Sequence, residues 1–362
     1  MTDNICNTLF RPEILAMSAY KVADAHNLIK LDAMENPYSW PEDIKQKWLD
    51  TIKSCPVNRY PDPQAEQLTQ VLKKTNQIPE QSGILLGNGS DEIIQILLMA
   101  LNSNASVLAP EPGFVMYRQI AKSLGLDYHG IPLLAESFAL DMPAMLTAIE
   151  KFKPGVIFLA YPNNPTGNLF SEDDIKTLLS KTSGLVVIDE AYAPFTSATF
   201  IDKLPDYSNL LVMRTVSKLG LAGLRLGFLA GAETIIEELN KIRLPYNINS
   251  LTQITAEFAL NHIDFLEKQT RSICQQRNQV FAQLNKLDDL TVWPSEANFI
   301  IFKSQTQSAD DIFNALKQHG ILIKNLSPQG GLLADCLRVT IGTEAENKLF
   351  IKALTAILAS SV

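Results

Sequence analysis

The chain has 362 residues, of which 46% are hydrophobic and 19% charged, so it can bury a large core and is long enough for more than one domain. Its net charge of -8, with no basic run, argues against capture of nucleic acid or of an anionic membrane surface, while leaving room for local positive sites that hold a small phosphate. The start MTDNICNTLFRPEILAM lacks a basic region followed by a long apolar run, and no segment reaches the roughly 18 apolar residues of a membrane helix, which makes the cytoplasm the expected compartment.

In chain order, the first sixty or so residues are irregular and carry Pro37, Pro41, Pro56, Pro61 and Pro63, the pattern of an arm packed against other elements. Short apolar runs follow at Gly83 to Leu86, Ser106 to Ala109, Gly155 to Ala160, Leu185 to Ile188 and Leu210 to Met213, separated by stretches of helical spacing. Such runs suit strands buried on both faces of a mainly parallel sheet covered by helices, with ligands gathered at the carboxyl ends of the strands. Beyond about Leu251 the pattern changes. A long helical segment runs through Asn285, then come the apolar run Asn298 to Phe302, a helix near Ala309 to His319 and the run Leu337 to Ile341, which together read as a smaller α+β domain. The expected division is 1–55 as an arm and part of the small domain, 56–250 as the large domain and 251–362 as the rest of the small domain. No internal repeat or low-complexity tract is visible. Cys6, Cys55, Cys274 and Cys336 form no CxxC pair, and His26, His129, His262 and His319 are scattered, so neither a disulfide framework, a metal site nor a His-centred triad is indicated.

The polar residues at the strand ends are the candidate chemistry. In Gly87-Asn88-Gly89-Ser90-Asp91-Glu92 a strand leads through a glycine turn into a helical pattern, and unpaired N–H groups at such a helix start bind phosphate well; an ordinary Ser or Asp cap fits the same residues. Tyr161-Pro162-Asn163-Asn164-Pro165-Thr166-Gly167 is a loop fixed by two prolines and a glycine, in which Asn164 presents an amide able to donate to a phenolate oxygen. Asp189, in Asp189-Glu190-Ala191-Tyr192, places a carboxylate directly after a buried strand; pairing with a pyridinium N–H would explain it, and a helix cap would also. Then comes Ser217-Lys218-Leu219-Gly220-Leu221-Ala222-Gly223-Leu224-Arg225, a lysine flanked by a hydroxyl and a guanidinium. Lysine is an amine nucleophile able to form a Schiff base with an aldehyde when its surroundings favour the neutral form, although most lysines are solvated surface charges.

Taken together, LDAMENPY near Leu31, NRYPD at Asn58, GNGSDE at Gly87, YPNNPTG at Tyr161, VVIDEAY at Val186, SKLGLAGLRLGF at Ser217 and LRVTIG at Leu337 resemble the fold-type I pyridoxal phosphate enzymes, and among them the histidinol-phosphate aminotransferases, over nearly the whole chain. The resemblance implies an α/β large domain with a mainly parallel central sheet plus a smaller α+β domain. It implies pyridoxal 5'-phosphate as cofactor, histidinol phosphate and glutamate or 2-oxoglutarate as substrates, and a place in histidine biosynthesis. Lys218 would be the Schiff-base lysine and proton shuttle, Asp189 the partner of the pyridine nitrogen, and Asn164 and Tyr192 the ligands of the ring oxygen. Ser90, Asp91, Ser217 and Arg225 would form the phosphate cup, and Phe114 would stack on the ring. Tyr60 matches a tyrosine lent across a homodimer interface to the neighbouring cofactor. Arg338 would grip an anionic substrate group, with Lys324 and Asn36 also on the substrate side. Two positions depart from the commoner pattern: Lys218 and Arg225 stand one residue closer together than in many relatives, and Lys324 stands where many carry arginine, keeping the charge but losing the bidentate fork. The rivals are an aromatic or broad-specificity aminotransferase, a phosphothreonine decarboxylase of similar appearance, and a non-catalytic regulator on the same scaffold.

Overall fold

The computed structural model describes residues 2–19 and 23–359; the outermost limits of the expected domains, residues 1 and 362, lie outside the described residues. The strands are β1 (Ile29–Lys30), β2 (Ser82–Gly87), β3 (Ser106–Glu111), β4 (Asp127–Pro132), β5 (Val156–Ala160), β6 (Leu185–Asp189), β7 (Leu210–Thr215), β8 (Gly227–Ala232), β9 (Leu290–Val292), β10 (Phe299–Ser304), β11 (Ile321–Leu322), β12 (Lys324–Asn325) and β13 (Cys336–Thr340). Seven of them form one sheet in the order β2-β8-β7-β6-β5-β3-β4, in which only β8 runs antiparallel to its neighbours. Every residue of β5 is buried, as expected of a strand covered by helices on both faces.

The five strands expected from the sequence are all present, and two more join them. β8, read as GFLAGA, has too few apolar side chains to signal a strand. Its glycines answer to space instead: a Cβ on Gly227 would lie 2.9 Å from the Ser90 backbone nitrogen, and one on Gly231 would overlap the Leu211 side chain. β4 is the polar edge of the sheet, with exposed residues at both ends, so its pattern does not alternate cleanly. The single long helix expected after Leu251 is two, Ser250–Asn261 and Asp264–Leu284. They part at His262, whose N–H bonds back to Ala259 and whose Nδ1 lies 2.8 Å from the Phe258 carbonyl oxygen.

The C-terminal part forms an antiparallel sheet β12-β13-β10-β9 with its own apolar core, which includes Phe299, Ile300, Phe302, Leu337, Val339 and Phe350. The N-terminal arm is stitched to it. β1 pairs with β11 in parallel, the Leu31 N–H bonds to the Leu322 carbonyl at 2.8 Å, and Thr340 donates to the Leu31 carbonyl at 2.9 Å. Leu31 itself is buried in that core. The segment Ala33 to Glu35 is thereby carried over the carboxyl edge of the large sheet, where it lines the same cavity as the strand ends.

Candidate active site

β2, β3, β5, β6 and β7 all end on one edge of the large sheet, and the residues just past them converge. They line a cavity of about 440 Å³: Ser90 and Asp91 after β2, Phe114 after β3, Asn164 after β5, Asp189 and Tyr192 at the end of β6, and Thr215, Ser217, Lys218 and Arg225 from β7 onward. Nine of the residues singled out in the sequence therefore meet in one place.

At one end, Gly89 (φ 85°) turns the chain into the helix Ser90–Ala100, whose N-terminus carries no side-chain cap. Its first N–H groups remain available to an anion. The guanidinium of Arg225 lies against this turn, since a Cβ on Gly89 would come within 2.5 Å of its Nη2, and it pairs with Asp91 Oδ2 at 3.4 Å. The short path from Lys218 to Arg225 is taken up by a wide turn over Ser217–Leu221, with Gly220 at φ 117°, a 3-10 turn over Ala222–Leu224 and a left-handed Arg225 at φ 50°. Thr215 Oγ1 donates to the buried Ser217 Oγ at 2.9 Å and accepts from the Ser217 N–H.

In the middle, Lys218 Nζ donates to the Ala33 carbonyl at 3.3 Å and stands 5.8 Å from the centre of the Tyr192 ring. Burial, and then the charges of Arg338 and Arg225, lower its pKa to about 8. Asp189 is only 3% exposed; burial raises its pKa to about 6, against the bonds it accepts from the Tyr117 hydroxyl (2.6 Å) and the Ala191 N–H (3.1 Å). Tyr192 is buried edge-on against Phe299, and burial holds its phenol well above the ordinary range. The neighbouring Glu190 serves the opposite face of the sheet, where it is fully buried, paired with Arg214 (2.7 Å) and bonded to the Phe200 N–H (2.6 Å).

Arg338 of β13 stands behind Asn164 and does not itself line the cavity. Its Nη1 donates to Asn164 Oδ1 at 2.6 Å and its Nη2 to the Asp32 carbonyl at 3.1 Å. With the amide oxygen taken, the Asn164 Nδ2 is the atom left to donate into the cavity. Lys324 of β12 lies directly opposite Arg338 in the antiparallel register, on the same face, but does not line the cavity.

Two other candidates stand elsewhere. The Asn36 amide is spent on the Leu219 carbonyl (3.2 Å) and Gln269 Oε1 (3.0 Å), and its oxygen accepts from the Tyr38 N–H, so it ties the turn after Lys218 to the helix Asp264–Leu284. Tyr60 is 80% exposed, stacked on Tyr246 at 4.5 Å, and outside the cavity of its own chain. The sequence reading gave no role to Thr215, to Tyr117 or to the Ala33–Glu35 strip within LDAMENPY. Nothing in their local pattern marks them, because their roles arise from contacts between distant segments.

The donor set suits a flat, anionic aldehyde cofactor: uncapped N–H groups, a hydroxyl and a guanidinium for an anionic group, together with an amine and a buried carboxylate. The fit is supported by Gly227, where any side chain would press on the Ser90 N–H. Fold and site are those of a fold-type I pyridoxal phosphate-dependent transferase. The family profile described as aminotransferase class I and II matches residues 26–354. The chain is 54% identical to histidinol-phosphate aminotransferase 2 of Nitrosococcus oceani, over 98% of this chain and 99% of that protein. It is 45% identical to histidinol-phosphate aminotransferase 2 of Cupriavidus pinatubonensis, over 98% of each. The crystal structure of histidinol-phosphate aminotransferase from Sinorhizobium meliloti in complex with pyridoxal-5'-phosphate superposes with a TM-score of 0.86, covering 98% of this chain and 99% of that one at 22% identity, which speaks to the fold. The chain belongs to the class I and II aminotransferases, among the histidinol-phosphate aminotransferases.

Proposed function

We propose that the protein transfers an amino group between histidinol phosphate and 2-oxoglutarate, giving imidazole-acetol phosphate and glutamate, in histidine biosynthesis in the cytoplasm. The observation that carries the reaction type is the convergence of Lys218, Asp189, Asn164 and Tyr192 on one cavity at the carboxyl edge of the sheet. The choice of substrate is supported by the relative at 54% identity over nearly the full length.

Bound pyridoxal phosphate supplies an aldehyde that carries the amino group and a ring that accepts electrons. Ser90 and Asp91, chiefly through their backbone N–H groups, hold its phosphate together with the Ser217 hydroxyl and Arg225. Asp189 pairs with the ring N–H, a contact that offsets the cost of keeping a carboxylate buried. Asn164 Nδ2 and the Tyr192 hydroxyl donate to the ring oxygen, and Phe114 covers one ring face. Lys218, its pKa lowered by burial to about 8, reaches the neutral amine more readily than an exposed lysine; its Nζ would hold the cofactor and move the proton at the substrate α-carbon.

Arg338 and Lys324, opposite one another across two strands, provide positive charge for the substrate's anionic groups. The active unit is a homodimer in which Tyr60 reaches the partner's cofactor phosphate. Tyr60 and Tyr246 stack on one another at 4.5 Å while exposed, an apolar pair of the kind that an interface covers. The domains are 1–55 as an arm and part of the small domain, 56–250 as the large domain and 251–362 as the rest of the small domain, a division supported by the pairing of β1 with β11.

Initial rates with 2-oxoglutarate as acceptor test this reading. Histidinol phosphate should exceed phenylalanine in kcat/KM by at least about tenfold, a margin within the reach of a few pocket contacts. Equal or better use of phenylalanine would make the protein an aromatic aminotransferase instead, and glutamate-independent carbon dioxide release from phosphothreonine would make it a decarboxylase.

A further inference from the structure

Tyr117 lies in the helix Val115–Leu124 and has entered the site so far only as a hydrogen-bond donor to Asp189. It is 1% exposed and does not line the cavity. Its ring is stacked on Phe158 of β5, with centroids 4.6 Å apart and planes at 12°, and meets Phe114 edge-on at 5.4 Å. These contacts leave the hydroxyl one position, from which it donates to Asp189 Oδ2 at 2.6 Å. The other carboxyl oxygen accepts from the Ala191 N–H. Both oxygens of Asp189 are thus held from behind, and the carboxyl plane is set by the protein alone.

We propose that Tyr117 is a positioning residue for Asp189: its hydroxyl keeps the buried carboxyl ionised and aimed at the place of the cofactor's ring nitrogen. A buried carboxylate is disfavoured, and only hydrogen bonds or cations that face it offset the cost. The titratable groups that act on Asp189 are Tyr117 from the helix Val115–Leu124, Asp91 from the helix Ser90–Ala100, and Glu190 and Tyr192 from its own strand end. Asp91 and Glu190 are anionic and push the carboxyl toward its neutral form. The Tyr117 hydroxyl, ahead of the Ala191 N–H, pulls it back. A phenylalanine would fill the same space and keep both ring contacts while leaving the carboxyl with one donor. Residue 117 is therefore given a task that volume alone does not explain.

The proposal rests on the placing of the ring nitrogen at Asp189. Tyr117→Phe, Asp189→Asn and the double variant, each prepared as holoenzyme, separate the two ideas. Retention of pyridoxal phosphate is followed as a function of pH by the release of its absorbance on dialysis, alongside thermal melting and kcat. The acid limb of the retention profile should move up by about one pH unit in Tyr117→Phe, the size of one hydrogen bond to a charged group. The same change made in the Asp189→Asn background should move nothing further, because no titrating carboxyl remains there. A Tyr117→Phe profile equal to wild type, or an equal loss in both backgrounds, overturns the proposal and leaves Tyr117 as core. If Asp189→Asn alone keeps the wild-type retention profile and kcat, the placing of the ring nitrogen falls, and the proposal falls with it.

Discussion

Lys218 gives up part of its preference for charge to its surroundings, and this has a consequence for stability before any cofactor binds. Its pKa in the folded chain is about 8, below its ordinary 10.5, chiefly through burial and then through Arg338. Between those two values the folded chain binds fewer protons than the unfolded one, so the contribution of this group to stability rises with pH there. The penalty is fully present below pH 8 and disappears as pH rises through 10.5. Lys218→Met should therefore raise the denaturant midpoint of the cofactor-free protein at pH 7, by a margin that shrinks at pH 10; an unchanged or growing margin would contradict the assigned environment. Arg338→Lys should lower kcat/KM by roughly 10- to 100-fold, since it removes a fork whose charged hydrogen bonds contribute about 1.5–3 kcal/mol. At this scale the sequence was readable where a polar residue follows a buried strand. Asp189 and Lys218 announce themselves because a charge there needs a partner. Tyr117 does not, since a tyrosine in an amphipathic helix is ordinary until Asp189 is seen to face it. The surroundings of Asn36 were hidden too, because its amide bonds a turn 183 residues away.

The segment from Ser217 to Arg225 carries more of the site than any other element, and its shape depends on Gly220. At φ 117° only glycine is at ease, and an added Cβ would stand 2.9 Å from the Asn36 amide nitrogen. Gly220→Ala should cost about 1–3 kcal/mol, a typical range for strained backbone, and should also speed cofactor loss, because Arg225 is placed by the same turn. Thermal melting and dialysis of the holoenzyme measure the two effects. A variant that loses stability but keeps its cofactor would show that Arg225 is placed independently of the turn. The contrast among strands has a physical origin as well. β5, β6 and β7 were legible because burial on both faces demands continuous apolar runs. β8 was hidden because its neighbours approach so closely that glycine replaces the very side chains that would have marked it.

At the scale of the whole molecule, the chain folds back so that β1 and Leu31 join the C-terminal strands. Met34 donates to Thr340 Oγ1 at 3.0 Å, and Asn298 Nδ2 donates to the Met34 carbonyl at 3.0 Å, so the strip lining the cavity is held by the C-terminal sheet. This return was half legible: the prolines marked an arm, but two-residue strands such as β1 and β11 are too short to show a period. Tyr60 belongs to a still larger scale. It does not line its own chain's cavity, yet its ring is stacked on Tyr246 while 80% exposed, an apolar surface left to water. If it completes the partner's site, two damaged chains can repair each other. Mixed after reversible dissociation, Lys218→Ala and Tyr60→Ala chains form hybrid dimers in which the chain that keeps Lys218 receives an intact Tyr60 from its partner. Random mixing should then restore about a quarter of the wild-type activity, because half the dimers are hybrids and each has one whole site. If Tyr60 served its own chain, every hybrid site would lack one residue or the other and the mixture would be no more active than its parts.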